Sequence, residues 1–150
     1  MKSKKPRDSE KIKVFLEPND WGYETEGLWA EKISEGKYKV RNSPFFAFDI
    51  SNEDIVTTYI KDGIVCFSKV IIRGGHSTYR IILKNKNEFE SFWKPIQKAG
   101  CFYEFAEGSL YAIDVLPKAD IDEVYSLLEE GEKQGVWEFE EGHCGHPTQD

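Results

Sequence analysis

The histidines and cysteines are the side chains of this chain best suited to chemistry at neutral pH. The sequence of 150 residues has three of each, and His143, Cys144 and His146 lie close together near the C-terminus. Imidazole and thiolate groups are the ligands that Zn²⁺ takes in tetrahedral sites. With His76 as a fourth ligand, these residues predict a zinc site, although the usual spacer between ligands is missing and adjacent residues reach one metal ion only from an irregular loop.

A second hypothesis makes Cys144 a nucleophile. The thiol would need a base, supplied by His76 or His146, and Glu140 to orient that base. No nucleophile elbow and no oxyanion motif accompanies these residues. The third alternative is structural: the histidines hydrogen-bond loop carbonyls and anchor the C-terminus to a sheet. No residue is assigned as catalytic.

The C-terminal residues with this chemistry follow a predicted strand. From Trp137 the side chains alternate, so that Trp137 and Phe139 face one side and Glu138 and Glu140 face the other. A polar loop with two glycines comes next. A strand that ends in polar groups is a common way to position a site.

Two amphipathic helices and three further strands precede that strand. Asn87 is expected to cap the first helix, which Pro95 should kink. Asp120 should begin the second helix, and Gly131 or Gly135 should end it. The other strands are predicted at residues 76–83, 101–105 and 110–115. The order strand, helix, strand, strand, helix, strand predicts a ferredoxin-like half over residues 74–147.

The usual strand order of that arrangement, 4-1-3-2, brings distant residues together. It places the last strand beside the first and antiparallel to it. We therefore expect His76 to lie close to residues 143–146, on one rim of the sheet. On the open face away from the helices, Arg80 should lie beside Glu138 or Glu140 in an ion pair, which stabilises by about 0.2–1 kcal/mol.

Residues 12–73 show strands and turns, and almost nothing at helical spacing. Asp62-Gly63 is a strong hairpin signal, and Ser34-Glu35-Gly36-Lys37 marks a second hairpin. Five short strands without a helix curl into a small barrel, because a flat sheet of that size would leave two open edges. We therefore predict an SH3-like small β-barrel over residues 12–73, which makes the whole chain α+β.

Aromatic residues between these strands are candidates for binding. Phe45, Phe46 and Phe48 follow Pro44 and form either an exposed binding loop or a plug in the barrel or the seam. The second alternative is favoured because large exposed apolar patches are uncommon on monomers. Of the four tryptophans, Trp21 is expected to be the most exposed. The candidate binding residues are Trp21, Phe45, Phe46, Arg80, Glu138 and Glu140.

Composition and charge limit the partners. The net charge is −7 although the first eleven residues, predicted to be a disordered basic tail, are rich in lysine. An acidic body repels phosphate backbones, so nucleic acid is an unlikely partner and a basic protein a suitable one. No apolar run approaches the ~20 residues of a membrane span. Three cysteines at wide spacing indicate reduced thiols and a cytoplasmic location.

Several motifs lie in order along the chain. They are Leu28–Lys32 (LWAEK), Pro44–Ala47 (PFFA), Gly75–Arg80 (GHSTYR), Leu110–Val115 (LYAIDV) and Gly135–His143 (GVWEFEEGH). With these motifs the chain resembles a bacterial family of uncharacterised proteins, domain of unknown function 4265, from Glu26 to Pro147. The resemblance carries no activity and no site residues with it.

From these observations we expect a small soluble binding or regulatory protein. It would be non-enzymatic and engage a protein partner, in an immunity or adaptor role. The alternative is a metal- or small-ligand-binding protein, with zinc as the metal and with enzymatic activity as an option, that uses the rim of His76, His143, Cys144 and His146. A predicted edge strand at Cys101–Phe105 would permit dimerisation by sheet extension.

Overall fold

The computed structural model describes residue 6, residues 8–106 and residues 108–148. Within these residues the chain forms two sheets and two helices, a mixed α+β arrangement. The strands are β1 Ser9–Phe15, β2 Thr25–Ser34, β3 Lys37–Val40, β4 Ile55–Lys61, β5 Ile64–Ile72, β6 Ser77–Leu83, β7 Cys101–Phe105, β8 Leu110–Val115 and β9 Trp137–His143. The helices are α1 Phe89–Lys98 and α2 Ile121–Lys133.

The first sheet contains β1 to β5, paired in chain order. A parallel bridge between Lys13 and Cys66 joins β1 to β5, so the sheet closes on itself. Alternate side chains point inward and form its core, which includes Ile12, Val14, Leu28, Ala30, Val40, Ile50 and Val56. Both predicted hairpins are confirmed: Asp62 and Gly63 take the positive φ angles, 53° and 77°, that a two-residue hairpin turn requires, and Gly36 turns between β2 and β3.

The second sheet has the strand order β7-β8-β6-β9. This is the predicted 4-1-3-2 order, and β9 runs antiparallel to β6 as expected, with Phe139 opposite Ile81. Both helices pack on one face of the sheet, where alternating strand residues and the apolar stripes of the helices form a second core. That core includes Tyr79, Ile81, Phe89, Trp93, Ile96, Ile113, Val124, Leu128 and Trp137.

The starts of the two helices differ from each other. Asp120 caps α2 as predicted, and its carboxylate accepts the Asp122 N–H at 3.0 Å. The prediction that Asn87 caps α1 is wrong. The cap position is Glu88, whose side chain makes no capping bond. Asn87 lies in a turn before the helix, where the side-chain oxygen of Asn85 accepts its backbone N–H at 3.2 Å. Pro95 lies inside α1 without ending it.

Helix α2 continues through Gly131 and ends at Lys133, so Gly131 is not its stop signal. Gly135 follows the helix with a φ of 76°. Gly131 lies against the indole of Trp137, which would collide with any side chain there. The indole N–H donates to the carbonyl of Leu128 at 2.9 Å. The glycine therefore makes room for a buried tryptophan.

The predicted boundary of the N-terminal tail is also wrong. Strand β1 begins at Ser9, and Ser9, Glu10 and Lys11 pair with β2. Because these residues are polar, no hydrophobic alternation reveals the strand. Residues 1–5 and 7 of the predicted disordered tail lie outside the described residues.

The loop between β3 and β4, residues 41–54, joins the two sheets. Ser51 bonds to Thr78 of β6 through their hydroxyl groups at 2.7 Å, and the Asn52 amide donates to Asp114 of β8 at 3.0 Å. This β3–β4 loop therefore covers part of the sheet face that lies away from the helices. In the described part of the chain, neither helix is long and apolar enough to cross a membrane.

Candidate functional site

A cleft of about 440 Å³ lies between the β1–β2 loop and the uncovered part of the second sheet. We call it the Trp21 cleft; its lining comprises Asp20, Trp21, Arg80, Ile82, Leu110, Glu138, Phe139 and Glu140. Four of the six candidate binding residues, Trp21, Arg80, Glu138 and Glu140, meet here. The other two, Phe45 and Phe46, belong to the β3–β4 loop beside it.

Asn19 organises the β1–β2 loop at the mouth of the cleft. Its side-chain oxygen accepts the Trp21 N–H at 3.0 Å, and its amide donates to the Tyr23 carbonyl at 2.8 Å. Gly22 completes the turn with a φ of 75°. The loop thereby holds Trp21 at the surface, 47% exposed, and the prediction that it is the most exposed tryptophan is confirmed.

The phenylalanines of the β3–β4 loop divide between the two predicted roles. Phe45 and Phe46 are half-buried, as the favoured seam alternative predicts, whereas Phe48 is 54% exposed. The ring of Phe46 lies 5.7 Å from that of Trp21 and 4.9 Å from that of Tyr23, measured between centroids. These contacts place an aromatic cluster at one end of the cleft.

Arg80 lies at the base of the cleft and is only 2% exposed. Its Nε donates to Glu140 at 3.1 Å, which confirms the predicted ion pair. Its Nη1 donates to the carbonyl of Ala47 at 2.7 Å, and its guanidinium lies 4.7 Å from the Phe48 ring centroid. The expectation that Arg80 lies on an open face is wrong, because the β3–β4 loop covers it.

Glu26 of β2 holds the same loop from the other side. Its buried carboxylate accepts the backbone N–H groups of Phe45, Phe46 and Ala47 at 2.6, 3.0 and 2.8 Å. Burial raises the pKa of Glu26, although these bonds and the charge of Arg80 oppose the rise. Glu26 therefore accepts hydrogen bonds from the N–H groups of residues 45–47, and Arg80 donates hydrogen bonds to carbonyl groups of the same segment.

The rim of the cleft is acidic. The side chains of Glu138 and Glu140 are 61% and 52% exposed, and Asp20 is exposed across from them. Glu138 lies 3.4 Å from Lys84, but both side chains are exposed and such pairs contribute little. The rim therefore presents carboxylates next to aromatic rings, an arrangement that attracts a cation.

The predicted convergence of the histidines at one rim of the second sheet is confirmed. His143 lies opposite Thr78 in the β6–β9 register, and His146 bonds to Ser77 at 2.6 Å. The backbone of Gly145 approaches the carbonyl of His76 so closely that a side chain would not fit. The predicted neighbours are thus brought together, but each side chain has a separate role.

Both ring nitrogens of His146 are occupied. Its Nε2 lies 2.8 Å from the carbonyl of Leu116, which can only accept, so Nε2 carries a proton. Its Nδ1 then accepts from the hydroxyl of Ser77, and that hydroxyl accepts the Gly145 N–H at 2.8 Å. His146 anchors the C-terminal segment to the sheet, which is the structural alternative for this residue, and has no lone pair left for a metal ion.

The other members of the predicted zinc set are engaged separately. Nδ1 of His76 lies 2.7 Å from Asp114, and this hydrogen bond raises the pKa of His76. Burial lowers the pKa of His143, and its Nε2 finds no hydrogen-bond partner among the described residues. The Cys144 thiol donates to the carbonyl of His146 at 3.5 Å. Across the residues described, no group of three or more His, Cys, Asp or Glu side chains could hold a metal ion.

The same contacts bear on the nucleophile hypothesis. The bond of Cys144 is to the backbone of His146 and not to its ring, whose nitrogens are both taken. Glu140, the expected orienting group, pairs with Arg80. This structure therefore does not assemble the triad of Cys144, His146 and Glu140.

Sequence reasoning missed two carboxylates of the seam, the buried Glu26 and the half-buried Glu104. Glu26 lies on the inward-facing side of β2, two and four residues before the buried Leu28 and Ala30. An acidic residue at an inward-facing strand position is the sequence signal that would have identified it. Glu104 of β7 accepts the Ser43 N–H at 3.2 Å, and burial raises its pKa to about 7.

Comparisons with known proteins agree on the family and the fold. The sequence model of the domain of unknown function (DUF4265) matches residues 26–139. A crystal structure of a hypothetical protein from Neisseria gonorrhoeae is similar, with a TM-score of 0.77 and 17% identity over 93% of this chain and 98% of that chain. No curated protein matches the chain.

Proposed function

We propose that this chain, which belongs to the family of domain of unknown function 4265, is a non-enzymatic binding protein whose Trp21 cleft holds a basic segment of a partner protein. An adaptor or immunity role suits such a protein. The single observation that carries the proposal is the placement of the exposed Trp21 beside the exposed carboxylates of Asp20, Glu138 and Glu140.

The chemistry of the cleft favours an arginine or lysine side chain. A cation over an aromatic face gains about 0.5–1 kcal/mol at exposed sites and about 2 kcal/mol when desolvated. The cationic residue in the lining, Arg80, is buried and already bonded to Glu140 and to the β3–β4 loop. Arg80 therefore already pairs with Glu140, and the carboxylates left for an incoming cation are Asp20 and Glu138, whose only close cation among the described residues is the exposed Lys84.

The net charge of the whole chain also favours a basic partner. A net charge of −7 steers basic partners toward the surface and repels nucleic acid.

The proposal extends to the finer class of the fold. We assign the closed sheet to the SH3-like small barrels and residues 74–147 to the ferredoxin-like arrangement, with the strand order and the two helices on one face as support. The cytoplasmic location rests on the three unpaired cysteines and is proposed on that ground alone.

The test measures binding of a fluorescein-labelled peptide of alternating glycine and arginine by fluorescence anisotropy. We expect the arginine peptide to bind, and its affinity to fall when salt is raised above about 0.1 M, where screening sets in within about 10 Å. Trp21→Ala should weaken binding by about 2–5-fold, the equivalent of a cation–π contact. Glu138→Gln should also weaken it.

Two controls test whether binding depends on the cleft and on the positive charge of the peptide. Glu129→Gln removes the same charge from the exposed surface of α2, outside the cleft lining, and should leave the affinity unchanged. A peptide of alternating glycine and glutamate should not bind. Equal binding of both peptides, or binding of the arginine peptide that is indifferent to Trp21→Ala, would show that the proposal is wrong.

A further inference from the structure

The two edges of the second sheet are protected differently. The edge strand β9 carries Glu138, Glu140 and Glu141, and charges on an edge discourage pairing with another strand. The opposite edge strand, β7, has no lysine, no proline and no bulge in its pairing with β8. Its Phe102 is 60% exposed. Strand β7 therefore lacks most of the devices that prevent edge-to-edge association; its one charged side chain, Glu104, is bonded to the Ser43 N–H of its own chain.

The backbone of β7 has a defined set of outward-facing groups. The Leu116 N–H bonds to the Gly100 carbonyl, and the Ala106 N–H bonds to the Leu110 carbonyl. Because bonded residues alternate along an antiparallel ladder, the even-numbered residues of β7 bond to β8. The N–H and C=O groups of the odd-numbered residues then point to the outer edge; these residues are Cys101, Tyr103 and Phe105.

We propose that the outer edge of β7 pairs with the same edge of a second copy of this chain, antiparallel about a two-fold axis at Tyr103. In this register Tyr103 lies opposite its own copy, and Phe102 lies opposite Glu104 of the second copy. The outward-facing groups of the two strands then satisfy each other, and the two four-stranded sheets form one continuous sheet. This inference is independent of the proposed cleft function.

The charges on α1 favour a second copy as the occupant. Glu90, Trp93 and Gln97 line a groove between α1 and β7, and the Trp93 ring lies 5.1 Å from that of Tyr103. A two-fold axis at Tyr103 therefore passes near the middle of α1 and sets the two helices antiparallel. Glu90 and the exposed Lys94 then face Lys94 and Glu90 of the second copy, which offsets the repulsion between two acidic chains.

Sedimentation equilibrium of the full chain over a range of concentrations tests the proposal. We expect a mass that rises from the 17.3 kDa of one chain to twice that value. At pH 8, above the pKa of about 7 of Glu104, Phe102→Glu puts a carboxylate opposite the ionised Glu104 of the second copy and should raise the dimer dissociation constant by at least about tenfold. Ile60→Glu alters a side chain that is 72% exposed on the closed sheet and should leave the dimer intact.

Exchanging the charges at positions 90 and 94 distinguishes dimerisation about the two-fold axis from a general change in solubility. Glu90→Lys and Lys94→Glu should each weaken the dimer because like charges then face each other, and the double variant should restore it. Circular dichroism checks that each variant is folded. A chain that stays monomeric at all concentrations, a dimer that survives Phe102→Glu, or a dimer lost in Ile60→Glu would each overturn the proposal.

Discussion

The guanidinium of Arg80 and the carboxylate of Glu26 hydrogen-bond to the backbone of the same short segment, residues 45–47, from opposite sides. Arg80 donates to the carbonyl of Ala47 at 2.7 Å, and Glu26 accepts the N–H of Ala47 at 2.8 Å. One residue belongs to the second sheet and the other to the closed sheet. The pair therefore satisfies backbone groups of residues 45–47 and holds the segment whose Phe46 ring contacts Trp21 at the cleft.

Arg80→Ala should lower the free energy of unfolding by about 2–5 kcal/mol, because it leaves the carbonyls of Phe46 and Ala47 without their donor and opens a cavity in place of a side chain that is 2% exposed. Urea denaturation followed by tryptophan fluorescence measures the change. Arg41→Ala is the matched control, since the Arg41 side chain is 37% exposed in its pair with Glu31, and it should cost less than about 1 kcal/mol. Equal costs for the two variants would contradict the central role of Arg80.

Glu104→Gln should make stability less dependent on pH. The pKa of Glu104 is raised from 4.5 to about 7, first by burial, so the folded protein holds this proton while the unfolded chain loses it. Stability therefore falls as pH rises from 4.5 to 7, and the full cost of the buried charge is present above that range. At pH 8 the variant should be about 1–3 kcal/mol more stable than the parent, and near pH 4.5 equally stable.

Urea denaturation at both pH values gives this difference directly. Other titrating groups, such as His76, are common to both proteins and cancel in the comparison. Glu129→Gln, on the exposed surface of α2, should show no such dependence. A difference between Glu104→Gln and the parent that is the same at both pH values would refute the prediction.

The spacing of apolar side chains predicted the strands and the two helices, and the usual order of such elements predicted the strand order of the second sheet. Parity along β6 and β9, together with the expected strand order, predicted Arg80 beside Glu138 or Glu140, and the ion pair forms with Glu140. The burial of Arg80 could not be predicted in that way. It depends on where the β3–β4 loop packs, and that loop meets the sheet through contacts that span more than thirty positions of sequence, such as Arg80 to Ala47.

At the histidine rim, too, the sequence predicted which residues lie close together but not which atoms they bond to. Topology predicted correctly that His76 and residues 143–146 meet, but not which atoms they bond. The partners Asp114 and Leu116 come from β8 and the residue after it, which carry no metal or catalytic signal. Residue types at one rim therefore suggested a shared ligand, whereas separate hydrogen bonds account for His76 and His146.

His146→Ala should destabilise the protein without changing its metal content. The substitution leaves the Ser77 hydroxyl and the Leu116 carbonyl without their partner, at a cost of about 1–3 kcal/mol for each buried group. The urea midpoint should be the same in zinc and in EDTA for both proteins. Mass spectrometry of protein purified without chelator should find far less than one zinc ion per chain. Near-stoichiometric zinc that is lost in His76→Ala would instead establish the metal site.

Gly131→Ala tests whether helix propensity or packing against Trp137 determines the change in stability at this position. In an exposed helix interior, alanine is more favourable than glycine by about 1 kcal/mol. At Gly131 we expect the opposite sign, a loss of about 1–3 kcal/mol, because the added methyl group collides with the buried indole of Trp137. The near-ultraviolet circular dichroism of the tryptophans should change with it. Ser126→Ala, on the exposed side of the same helix, is the control and should be neutral or slightly stabilising. A stabilised Gly131→Ala variant would mean that the indole does not pack on the helix as described.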